Sequence, residues 1–100
     1  MPAIATEQNL STGADGYPAS LPIGPFTSTV TFGGRRLQWR GITVYNDHPS
    51  TTTHHGLRTV SAVQATPNTM FFEGHPLAFE GDKLDDNDRI APLIGNTSFG

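Results

Sequence analysis

Three of the four histidines, His48, His54 and His55, fall within eight positions of one stretch, "NDHPSTTTHHG", which has too few apolar residues to be core. Imidazole is a common ligand for divalent metals, and zinc takes about four N, S or O donors in a tetrahedron. Imidazoles carried on a loop can meet on one ion if the loop closes on itself. The spacing therefore permits a metal centre, and it equally fits solvated loop histidines. The chain has no cysteine, so any metal site must use histidine and carboxylate donors, and disulfides are excluded. The fourth histidine, His75, lies in a glycine turn and reads as an exposed turn residue.

Two further sets of residues have the types needed for chemistry. "GDKLDDNDRI" gathers Asp82, Asp85, Asp86 and Asp88. An EF-hand calcium loop needs glycine at its sixth position and glutamate at its twelfth, and neither is present, so the run reads as a solvated acidic turn. Ser, His and Asp all occur, but without a Gly-x-Ser-x-Gly elbow or other nucleophile context. The residues point away from an enzyme. The enzymatic alternative is a small metal-dependent hydrolase in which His48, His54 or His55 holds a zinc-bound water at an open coordination position.

The elements that must position these residues come from a thin-cored chain. One hundred residues with a net charge of −3 fit one domain. Hydrophobic residues supply only 35%, against 11 glycines and 8 prolines, and cores this thin often rely on a metal or a partner. Six basic residues are scattered, with only Arg35 and Arg36 adjacent, and nine acidic ones outweigh them; no nucleic-acid footprint is present. No stretch approaches the roughly 18 apolar residues of a membrane span, and "MPAIATEQNL" lacks the basic and apolar regions of an export signal. A soluble chain is expected.

Gly, Pro, Ser, Thr and Asn interrupt the sequence too often for helical periodicity, so the fold class expected is all-β. An internal duplication organises it: "TVTFGGRRLQWRG" at 29–41 aligns without a gap on "TMFFEGHPLAFEG" at 69–81, 40 residues later. Val30, Phe32, Leu37 and Trp39 correspond to Met70, Phe72, Leu77 and Phe79. In each copy these positions alternate on both sides of a glycine turn, so each reads as an amphipathic β-hairpin with the four side chains on one inward face. That holds for a two-residue or a four-residue loop. Gly34 and Gly74 would take the positive φ the turn requires. The chain ends supply pieces of a third copy, since "PAIATE" resembles "PLAFEG" and "NTSFG" resembles the start of "NTMFF". Three such units around an axis converge their apolar faces into one narrow core, a small cone or pyramid of pseudo-symmetric two-stranded hairpins.

With these motifs the chain resembles a PAAR-repeat protein, whose units run as apolar strand, Asn-Gly-like turn, Pro-Ala-Ala-Arg-like strand and Gly-Asp step. "FFEGHPLAFEGD" matches that unit best, "TFGGRRLQWRGI" keeps the strand, turn and glycine, and "MPAIATE" resembles the first signature. The resemblance implies a single domain over 1–100, with copies at about 29–42 and 69–82 and a split third copy from residues 1–7 and 96–100. It implies a non-enzymatic, membrane-piercing tip, one per trimeric spike protein, on a contractile injection machine, in transient contact with the target envelope. A phage virion, at the tail baseplate, is expected, because both termini look spent on the fold. The alternative is an orphan type VI secretion tip, made in the bacterial cytoplasm and then exported. The family is also expected to hold a metal, usually zinc, through three His and a Cys, with iron the alternative ion for this chain. Here that implies His48, His54 and His55. Asp15 stands in "STGADG" where the family often has a further His; it either supplies an oxygen or the position has lost its ligand. Phe71, on the outer face where the first copy has the polar Thr31, marks the expected docking surface for the spike. From another class, a small glycan- or protein-binding module would use Trp39, Tyr45, Arg35, Arg36 and Arg40, and would need Trp39 exposed.

Overall fold

The two duplicated stretches fold in one register. The structure is a computed structural model that describes residues 3–13, 18–47, 56–65, 70–85 and 88–93. Among these, seven short strands form: Pro22–Gly24 (β1), Thr31–Phe32 (β2), Arg35–Arg36 (β3), Val44–Tyr45 (β4), Arg58–Thr59 (β5), Phe71–Phe72 (β6) and His75–Pro76 (β7). No helix occurs among the described residues. β2 pairs antiparallel with β3, with Phe32 opposite Arg35, and β6 pairs with β7, with Phe72 opposite His75. The loop is thus two residues in both. Gly33 and Gly34 have φ of 62° and 80°, Glu73 and Gly74 of 56° and 86°, the doubly positive pattern of the turn that best matches strand twist. The third antiparallel sheet, in the order β1-β4-β5, has no counterpart in the alternation of the sequence.

What joins the hairpins is a cycle of backbone hydrogen bonds. Segments 4–6, 37–39 and 77–79 lie beside one another in antiparallel bridges, Ile4 with Phe79, Thr6 with Leu37, and Trp39 with Leu77. Ala5 N–H donates to Ala78 O (3.0 Å), Ala78 N–H to Gln38 O (3.0 Å), and Gln38 N–H to Ala5 O (3.1 Å), which closes the ring. An outer set repeats it: Glu7 N–H to Arg36 O (2.8 Å), Arg40 N–H to Pro76 O (2.9 Å) and Glu80 N–H to Ala3 O (2.8 Å). Each segment ends in a turn whose backbone is held by a polar side chain. Asn9 Oδ1 accepts from Thr6 N–H (2.8 Å), Thr43 Oγ1 from Trp39 N–H (2.9 Å) and Asp82 Oδ2 from Phe79 N–H (2.9 Å). Three short strands that no ordinary sheet would hold thus satisfy one another's polar groups.

Because side chains alternate along a strand, the ring has two apolar faces. Ala5 and Ala78 pack with Tyr45, Val60, Leu84 and Ile90, all buried, and Gln38 on that side is fully buried with its Nε2–H donating to Thr6 O (2.7 Å). Leu37, Trp39 and Leu77 form the other cluster, against which Ile4, Val30, Ile42, Met70 and Phe72 are half-buried. The expectation that Leu37, Trp39, Leu77 and Phe79 face inward agrees with their burial. Phe32 departs from it, at 59% exposed. The neighbours explain the difference. Trp39 lies against the β6–β7 unit through its bridge to Leu77 and covers Phe72, whereas the residue bridged to Leu37 is Thr6, too small to cover Phe32.

Candidate functional site

His48, His54, His55 and Asp15 lie outside the described residues, as do Asp86 and residues 96–100. Among the described residues no group of three or more His, Cys, Asp and Glu is arranged to hold a metal ion. The structure does describe both ends of the connection that carries the three histidines. β4 and β5 pair antiparallel with Tyr45 opposite Arg58, so that connection starts and finishes at neighbouring positions. Tyr45 is fully buried there, its hydroxyl donates to Asn9 O (3.3 Å), and burial pushes the phenol well above its ordinary pKa.

The acidic turn is not solvated as the sequence implies. Asp82 is buried and paired bidentately with Arg40, Nε to Oδ2 at 2.7 Å and Nη2 to Oδ1 at 2.9 Å. Asp88 is fully buried and takes Arg58 Nη1 at 2.8 Å and the Thr12 hydroxyl at 2.7 Å. Arg58 also donates to Ser20 Oγ and to Asn46 O. Burial raises the Asp88 pKa, but hydrogen bonds from Thr12, Ser11 and Arg58 outweigh it, and the carboxyl lies below its ordinary value. Asp85 alone of the described acids in the run is exposed. These pairs tie Thr12, Ser20, β5 and the ring turns together, a structural use of the carboxylates. Nothing in the run "GDKLDDNDRI" marks Asp82 and Asp88 as buried, since their arginines lie 42 and 30 residues away.

The hairpin tips carry the remaining candidates. Phe71 is 58% exposed on β6. His75 is exposed, as the sequence implies, with its ring edge-on to Trp39 at 5.1 Å between centroids. Trp39 is only 7% exposed and donates Nε1–H to Phe72 O (3.1 Å). Arg36 stacks on Phe26 (5.0 Å) and pairs with Glu7 (2.9 Å). Of the five residues a glycan- or protein-binding module would use, Trp39, Tyr45 and Arg40 are buried. Sequence reasoning missed Glu73, whose carboxylate crosses from the second hairpin turn to Ser28 and Thr29. Its one visible signal is a non-glycine residue where the first hairpin has Gly33.

The described geometry is a scaffold braced by buried ion pairs, with a buried apolar cluster of Leu37, Trp39 and Leu77 edged by the half-buried Ile4, Val30, Ile42, Met70 and Phe72. No model of a known protein family matches the chain, and no curated protein or solved structure matches it.

Proposed function

We propose that this chain is a non-enzymatic, membrane-piercing tip that caps the trimeric central spike of a contractile injection machine, in first place a phage tail baseplate. The cycle of backbone hydrogen bonds through segments 4–6, 37–39 and 77–79 carries the reading. One chain presents three like strands around one point, an arrangement suited to a three-fold partner at one copy per trimer. On this reading hairpins β2–β3 and β6–β7 are two sides of a pseudo-symmetric cone. Segment 4–6 begins the third side, whose other strand the sequence assigns to residues 96–100. Exposed Phe71, on the face of β6 away from Phe72, supplies apolar contact for the spike. The work of penetration comes from sheath contraction, and the tip contributes narrowness and stiffness. An orphan type VI secretion tip is the same object on a different spike.

Native mass spectrometry of the chain mixed with its cognate spike protein is expected to give one copy per spike trimer. Absence of a complex, or a 3:3 complex, would sink the reading.

The proposal includes one metal ion, zinc or in its place iron, on His48, His54 and His55. The pairing of Tyr45 with Arg58 supports it by bringing together the ends of the connection that carries them. A metal bound there would brace a connection for which the thin core has little apolar material, and its binding free energy would add to folding. Elemental analysis should find about one ion per chain, and the triple alanine substitution should remove it and lower the melting temperature. A metal-free chain that melts the same with and without the histidines would refute this part and leave the stoichiometry test standing.

A further inference from the structure

The second hairpin turn places a glutamate where turn geometry favours glycine, asparagine or aspartate. Glu73 has φ of 56°, the one positive value among the described non-glycine residues, and such a conformation is strained for most side chains. Its carboxylate is fully engaged. Ser28 N–H donates to both oxygens (3.0 Å each), Thr29 N–H to Oε2 (2.9 Å), and the Ser28 and Thr29 hydroxyls to Oε1 (3.1 Å) and Oε2 (3.0 Å). Two successive backbone N–H groups and their own hydroxyls converging on one anion are the donor set of an anion-binding nest. All of them belong to the exposed stretch that leads into β2.

We infer that Ser28 and Thr29 form an oxyanion-binding site, selective for carboxylate and phosphate groups, whose resident ligand is the tethered carboxylate of Glu73. The site has a consequence for the fold as well. The turn of one hairpin is latched to the entry of the other across 44 and 45 residues of sequence. The tether gives the carboxylate a high local concentration, so free anions compete poorly with it. The first hairpin, with Gly33 at the equivalent position, has no such latch. The hydrogen bonds from Thr29 and Ser28 hold the Glu73 carboxyl down at about 2, so the site stays occupied well into the acid range.

The test removes the resident ligand without harming the turn. Glu73→Asn creates Asn-Gly, a favoured pair for this turn, and its side chain is one methylene shorter. Glu73→Gly copies the first hairpin and serves should the asparagine variant fold poorly. Inorganic phosphate and, separately, acetate are titrated into each chain while backbone amide shifts are followed by NMR. The expected result is saturable shifts of Ser28 and Thr29 in the variants, with thermal stability rising as the site fills, and no such response in the wild type. Variants whose Ser28 and Thr29 amides ignore both anions would overturn the site. A wild type that responds as strongly as the variants would overturn Glu73 as its resident ligand.

Discussion

Replacing Asp88 with alanine is expected to destabilise the chain by about 3–5 kcal/mol, the range for breaking a buried ion pair from one side. The cost arises because Arg58 is itself buried and its charge stays behind. The Thr12 hydroxyl loses its shorter hydrogen bond, 2.7 Å, in the same change. Against a typical total of about 5–15 kcal/mol for a small domain, that leaves little margin. Urea denaturation of the variant beside Asp85→Ala is the check. Asp85 is exposed, and its replacement should stay within about 0.5 kcal/mol. The sign with pH follows from the lowered carboxyl. Asp88 contributes stability above the ordinary aspartate value of about 3.9, and that stability is lost as pH falls through the depressed value. Acid unfolding of the wild type should therefore steepen below about pH 4, and Asp88→Asn should flatten that limb.

Trp39→Ala is the second large effect, about 3–5 kcal/mol by the scale for truncating a buried aromatic. Trp39 joins the ring to the second hairpin by three contacts: packing on Leu37 and Leu77, the indole N–H to Phe72 O, and the edge contact with His75. Its loss removes the cover over Phe72 and the indole hydrogen bond to Phe72 O. Trp39→Phe retains most of the apolar body and should cost less than half as much. Because the chain has one tryptophan, wild-type unfolding is readable by fluorescence, and the variants by circular dichroism. If Trp39→Ala left stability within about 1 kcal/mol while abolishing glycan binding, the indole would be a contact residue and the apolar face would need a different reading.

The hairpins were legible in the sequence because alternation around a glycine turn is a local signal, repeated at a spacing of 40 residues. Trp39, Leu37, Leu77 and Phe79 were readable as core for the same reason. The sheet of β1, β4 and β5 was not, since strands of two or three residues such as Arg58–Thr59 are too short to show a period. The buried pairs escaped because an aspartate in an acidic run looks the same whether or not an arginine from 30 positions away reaches it. Phe32 shows the converse: its pattern is that of Phe72, and only the identity of the bridged neighbour, Thr6 against Trp39, decides which is covered. The histidine connection belongs to neither class, because the described residues fix its ends and not its donors.

The ring of segments 4–6, 37–39 and 77–79 also dictates when the chain can fold. Its first member bonds to its last, Ile4 to Phe79, 75 residues apart in sequence. Contacts of that separation give the slow, high-contact-order folding of all-β domains, because loop closure is paid before any bond rewards it. During synthesis at about 5–20 residues per second, Ile4 waits roughly 4–15 s for its partner to be made. Thr6 can meet Leu37 once residue 37 is made, but the ring cannot close until residue 79 has followed.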